Sequence, residues 1–136
     1  MTRHRAEIEG DFVVHLTAMQ IRKPWMVHKW LPVVVGMRRM LHELSTSPQS
    51  GLLGFEDAFI RGFGVVQYWR SQEQLDRFAR AAMHKRAWRN WNERIRHTDA
   101  VGIWHETYRV RAGEHQSIYI NTPVHGLAAA ARQHPH

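Results

Sequence analysis

The stretch Leu52–Trp69, LLGFEDAFIRGFGVVQYW, is the part of the chain from which the rest can be read. Leu52 to Ile60 and Phe63 to Trp69 are two strand-like runs rich in apolar and aromatic residues. Arg61-Gly62 separates them, and a two-residue connection containing glycine predicts a hairpin with antiparallel strands.

Working upstream, Ser45 to Gly51 (STSPQSG) carries the turn chemistry that ends a preceding element. That element is helical. Trp30, Val34, Met37, Leu41 and Leu44 recur at three- and four-residue steps, while Arg38, Arg39 and His42 turn away. Pro32 suits a first helical turn, where its missing N–H has no partner to lose, so the helix is expected to begin near it. Asp11 to Ile21 (DFVVHLTAMQI) reads as the first strand. One of its period-two faces carries Val13, His15, Thr17 and Met19, the other Val14, Leu16 and Ala18. The second face is wholly apolar and is expected to pack on helices.

Downstream, Ser71 and Gln74 form a capping-box pattern ahead of the apolar stripe Leu75, Phe78, Ala79, Ala82 and Met83. The helical period continues through Trp88, Trp91 and Ile95. Val101 to Val110 (VGIWHETYRV) is a fourth strand, and His115 to Asn121 (HQSIYIN) a short fifth that Thr122-Pro123 stops. Gly126 to His136 is Ala-rich and then polar, which predicts a short helical turn and a frayed end.

The order β-α-β-β-α-β-β is met economically by two helices on one face of an antiparallel sheet. That is an α+β domain of the split βαβ, or ferredoxin-like, kind. The face with His15, Thr17 and Met19 is too mixed for full solvation and too polar for a dry core. A second copy packed face to face would close an α/β barrel around it, so a homodimer with an enclosed pocket is expected. The domain spans residues 11–130, with flexible tails at 1–10 and 131–136.

At 136 residues the chain suits one domain. The absence of cysteine removes disulfides, thiolate nucleophiles and Cys-based metal sites. The formal charge of +7 is spread along the chain. Arg77, Arg80, Lys85, Arg86, Arg89, Arg94 and Arg96 spread around the second helix with Glu73, Asp76 and Glu93 interspersed, which is a solvated face rather than a nucleic-acid stripe. The run Leu31 to Met37 is interrupted by Pro32 and Gly36 and is far short of the roughly 20 residues of a membrane span. No apolar signal segment follows the start, so a soluble, cytoplasmic protein without a membrane partner is expected. There is no GxGxxG, GxxxxGK[ST], HExxH or GxSxG. Eleven histidines are present, but their spacing fits no recognised ligand set, and no metal site is expected.

Four stretches carry a resemblance. Val66 to Phe78 (VQYWRSQEQLDRF) resembles the third strand and second helix of antibiotic-biosynthesis-type monooxygenases, which are small dimeric α/β-barrel proteins. Phe12 to Leu44 with its Lys29-Trp30-Leu31-Pro32, Val101 to Val110, and Ile118 to Leu127 (IYINTPVHGL) are similar to the fumagillin-pathway monooxygenase-like family. The resemblance covers about Asp11 to Ala130 and implies the ferredoxin-like fold and dimerisation; it brings no set of catalytic residues. Related cofactor-independent oxygenases and haem-degrading enzymes line their pockets with aromatic, Asn and His side chains, so it implies either no cofactor or haem.

The candidate site follows. If Val101, Ile103, His105 and Thr107 share one face of the fourth strand, His105 joins His15 and Thr17 inside the pocket. An imidazole there can act as a base, hold an acidic group or ligate haem iron; it can equally be a half-buried structural group. His105, His15 and Tyr108 are the candidates for chemistry, and Trp69, His84, Thr17 and Met19 for substrate contact. His84, Trp88 and Asn92 follow one helix face at four-residue steps, where aromatics also serve as plain core. The expected function is a monooxygenase-like protein that binds a small aromatic or apolar molecule. The alternative is a non-enzymatic haem- or small-ligand-binding protein of the same fold, and whether the chain is an enzyme stays open.

Overall fold

The computed structural model describes residues 3–4, 8–59, 62–83, 89, 93, 99, 101–123 and 125–133. Its elements are β1 (Arg3–His4), β2 (Phe12–Ile21), α1 (Val27–Ser45), a 3-10 turn (Pro48–Ser50), β3 (Leu52–Phe59), β4 (Phe63–Trp69), α2 (Gln72–Met83), β5 (Val101–Val110), β6 (Tyr119–Ile120) and α3 (Gly126–Gln133). Four strands form one antiparallel sheet in the order β3-β4-β2-β5. β2-α1-β3 and β4-α2-β5 each skip over one intervening strand, and this interleaving is the split βαβ topology. The fold is α+β and ferredoxin-like.

The hairpin forms as its sequence dictates, with Phe59 opposite Phe63. β3 is described over Leu52–Phe59 and β4 over Phe63–Trp69; residues 60 and 61, the expected strand end and first residue of the connection, lie outside the described residues. Gly62 has φ +136, and a Cβ there would stand 2.3 Å from the carbonyl oxygen of Met19, so only glycine fits this crossing over β2. α2 starts on its capping box. The Gln74 amide donates to Ser71 Oγ at 3.2 Å, and the Ser71 hydroxyl donates to Gln74 Oε1 at 3.0 Å.

α1 begins five residues before Pro32, earlier than the proline predicts. The entry turn is secured by other contacts. Met26 N donates to Lys23 O at 3.0 Å, Lys29 N to Met26 O at 2.9 Å, and the Trp30 indole to Pro24 O at 3.0 Å. Against that anchoring, Pro32 forgoes a single ladder bond close to the helix start, and the helix runs through it.

The choice of sheet face reverses the expectation. Val13 packs with Leu41 of α1, Leu75 of α2 and Trp69, and Met19 packs with Trp30 and Val34. The face carrying Val13, His15, Thr17 and Met19 is therefore the one beneath the helices. Leu41 and Trp69 are fully buried there. The opposite face has a core of its own: Phe12 and Leu53 pack with Leu127, Ala128 and Ala130 of α3, and Val14 and Tyr68 lie against them. Small alanines let α3 approach the sheet closely, and this burial, not period, decides the face. The C-terminal segment, expected as a helical turn, thus forms eight residues of core-packed helix.

The N-terminal segment is also more than a tail. Arg3–His4 pairs antiparallel with Tyr119–Ile120, and Ile8 is buried in the α3 core. The predicted fifth strand shrinks to that two-residue pairing. A bulge at Leu53 shifts the parity of β3, so Leu52 pairs with Trp69 but Gly54 with Tyr68. Beyond the bulge, Phe55, Asp57 and Phe59 share the face of Gln67, Val65 and Phe63, which is the helix side. No helix among the described residues is long and apolar enough to cross a membrane.

Candidate ligand cavity and histidine pair

Between α1 and the helix side of the sheet lies a cavity of about 390 Å³. Thr17 and Met19 of β2, Val34 and Met37 of α1, Phe63 and Val65 of β4 and Ile103 of β5 line it. The lining is mostly apolar because α1 turns the same stripe inward that the three- and four-residue spacing defines. Arg38, Asp57 and Phe59 complete it. Arg38 Nη1 donates to Asp57 Oδ1 at 2.5 Å, and this pairing raises the guanidinium's pKa further. Asp57 reaches this face only through the Leu53 bulge.

Beside the cavity the register places two histidines together. Thr17 lies opposite His105 and His15 opposite Thr107, on the same face as Ile103. The imidazoles of His15 and His105 have centroids 5.5 Å apart at a 35° tilt. His15 Nδ1 is 2.8 Å from Thr107 Oγ1. Burial lowers the pKa of His15 to about 4, and the adjacent His105 adds to the effect, so His15 is neutral at physiological pH. The Thr17 hydroxyl is turned towards the carbonyl of Trp104 at 3.4 Å.

The remaining sequence candidates separate. Thr17 and Met19 line the cavity, and His15 and His105 adjoin it across β2 and β5. Trp69 sits elsewhere, fully buried, donating its indole N–H to Gln67 Oε1 at 2.9 Å and stacked on Phe78 with centroids 5.5 Å apart. Tyr108 is on the opposite sheet face, half-exposed, with its hydroxyl donating to Glu106 Oε2, a bond that raises the phenol's pKa. His84, with Trp88 and Asn92, lies outside the described residues. No group of three metal-ligating side chains occurs among the described residues. Arg38, Asp57, Phe59 and Phe63 were not singled out from sequence. Arg38 was expected to turn away with Arg39 and His42, yet its long side chain reaches the cavity's solvent edge and pairs with Asp57 there.

A sheet of this topology, with an apolar cavity under its first helix and His15 and His105 alongside, is that of a small ferredoxin-like α+β protein. Residues 12–127 match the family described as Monooxygenase af470-like, and the chain belongs to that family. It is 33% identical over 57 residues to Monooxygenase af470 of Aspergillus fumigatus. That match takes in 42% of this chain and 20% of the relative, so the chain spans about a fifth of the curated protein it resembles. Among solved structures, an aldoxime dehydratase in complex with butyraldoxime superposes with a TM-score of 0.68 at 15% identity. The superposition covers 96% of this chain and 39% of the dehydratase, and it supports the fold. The heme-degrader MhuD of Mycobacterium tuberculosis, with two hemes bound in its active site, is similar over 74% of this chain and 95% of its own. Its TM-score of 0.35 at 21% identity is too low to carry an argument.

Proposed function

We propose that this chain is a monooxygenase-like protein that binds a small apolar or aromatic molecule between α1 and the sheet and presents it to His105 and His15. The observation that carries the reading is that two residues lining the apolar cavity flank His105 on the same sheet face: Thr17 is its register partner and Ile103 stands two positions before it. Its volume of about 390 Å³ falls near the lower end of the roughly 300–1,000 Å³ usual for small-molecule sites. A molecule of one or two rings fits that space.

The two histidines take different parts. His15, neutral and held by Thr107, orients a polar group of the substrate as a fixed hydrogen-bonding partner. His105 is more exposed and stands where a proton leaving an acidic hydroxyl can be received. The phenolate ring is itself the electron donor to oxygen: the phenol and O2 give a quinone and water, one oxygen atom entering the ring and the other leaving as water.

Haem is the cofactor that the resemblance brings forward. The neutral His15 ring could supply a ligating nitrogen. The cavity matches one or two rings rather than a macrocycle, so haem does not fit it as formed.

The homodimer enters through the other side of the sheet. Beyond the ground covered by α3, Leu16, Val66 and Trp104 are only half-buried and Tyr108 is exposed. A second copy packed on this face would close the barrel and leave the histidine face to the helices.

Oxygen uptake with a panel of one- and two-ring phenols tests the reading. A substrate is expected to be consumed by the wild-type chain and not by His105→Ala of unchanged circular dichroism. Unchanged turnover in His105→Ala removes the base assignment. Ligand binding without uptake supports the non-enzymatic alternative, and a sharp Soret band on adding haemin overturns the cofactor-free reading.

A further inference from the structure

The cavity is not uniformly apolar, and its polar groups are concentrated at one place. Of its polar side chains, Thr17 is turned towards the Trp104 carbonyl, which leaves Arg38 and Asp57 as the charged pair. Both side chains are 55% exposed, so they stand where the cavity meets solvent. Phe59 and Phe63 lie at the same opening, edge to face with centroids 6.2 Å apart. They are 80% and 57% exposed, a high exposure for two phenylalanines that also line a cavity.

We propose that the ligand is an aromatic acid, a flat one- or two-ring system carrying a single carboxylate or equivalent anion, which Arg38 holds at the mouth. The inference rests on this cavity being the ligand site. A guanidinium has five N–H donors in a planar fork, and the bond to Asp57 uses one of them. A second carboxylate can therefore join at a free edge without displacing the first, in the charge-assisted geometry that arginine favours. Asp57 fixes the guanidinium over the opening and also competes for it. The ring then lies between the Phe59–Phe63 lip and the apolar wall of Met37 and Ile103, with edge and face contacts open to it. The formal charge of +7 favours approach of an anion over a cation, which would otherwise find Asp57.

Isothermal titration of the full chain with 2-naphthoate, 2-naphthamide and 2-naphthylmethylammonium at low salt and neutral pH separates the possibilities. Naphthoate is expected to bind about tenfold more tightly than the neutral amide, and the ammonium most weakly. Arg38→Gln should bring naphthoate to within about twofold of the amide, whose own affinity stays put, because only the charge-assisted contact is lost. Asp57→Asn should tighten naphthoate by freeing the guanidinium. Equal affinities for naphthoate and amide in the wild type, or a preference surviving in Arg38→Gln, overturn the anchor while leaving the cavity as a ligand site. If none of the three compounds binds, the cavity reading itself falls, and the anchor with it.

Discussion

His15 and His105 stand on neighbouring antiparallel strands with their rings 5.5 Å apart, and neither is the other's register partner. His15 is opposite Thr107, and His105 is opposite Thr17. The diagonal contact crosses the strand pair on one face, which is within reach for imidazoles. Burial of His15, with the neighbouring His105 adding to it, keeps the His15 imidazole neutral.

This makes stability fall with acid in a definite window. The folded-state pKa of His15, about 4, lies below its ordinary value of 6.5, so the native state binds its proton later than the unfolded chain. The contribution is whole above pH 6.5 and declines as the pH is lowered towards 4. Thermal unfolding midpoints across this range should drop less steeply in His15→Gln than in the wild type. Parallel curves would show that His15 does not titrate as described.

Trp69 should separate stability from binding. Trp69→Ala removes a fully buried ring and should cost about 3–5 kcal/mol. Trp69→Phe keeps most of the stacking on Phe78 but leaves the buried Gln67 carbonyl oxygen without its donor, at about 1–3 kcal/mol. Because Trp69 does not line the cavity, ligand affinity in folded Trp69→Phe should match the wild type in the same titration.

Gly62→Ala should destabilise the chain by about 1–3 kcal/mol in urea unfolding, since a residue forced into a disfavoured backbone region carries such a cost. The φ of +136 disfavours any side chain, and the Cβ would stand 2.3 Å from Met19 O, a backbone atom that cannot swing aside. Gly36→Ala on α1, where nothing lies within 4 Å, is the control and should be neutral or stabilising.

Val34→Phe should fill the cavity from its helical wall. The space of about 390 Å³ accepts the larger ring, so the melting temperature should change by only a few degrees, while affinity for a two-ring ligand falls at least about tenfold. Calorimetry paired with thermal unfolding checks both halves.

How far the chain announces this arrangement differs from element to element. The Ser71-Gln74 cap, the hairpin between Phe59 and Phe63, and the stripe of Trp30, Val34, Met37, Leu41 and Leu44 are local patterns, and each forms as its residues indicate. The start of α1 was hidden, because Lys23, Pro24 and Met26 secure a turn ahead of Pro32 through contacts no helical period reveals. The C-terminal alanines carried no visible signal of a core, since small side chains matter only once a sheet lies close enough to meet them. His105 sharing a face with His15 and Thr17 could be read as a conditional statement; its truth depended on a register between residues some ninety positions apart.

What the sequence alone determined is the four strands of the main sheet and the two helices between them, their order and the alternation of β2 into two faces, all consequences of interactions within a few residues. Which face meets the helices was decided by the tertiary structure. Alternation divides Val13, His15, Thr17 and Met19 from Val14, Leu16 and Ala18, but it has no direction. The direction came from long-range burial of Val13 against Leu41 and Leu75, and of Phe12 and Leu53 against α3. The site is a product of the same level. The Leu53 bulge shifts β3 by one residue, turns Asp57 to the helix side and brings it within reach of Arg38, and no local preference in that strand required the shift.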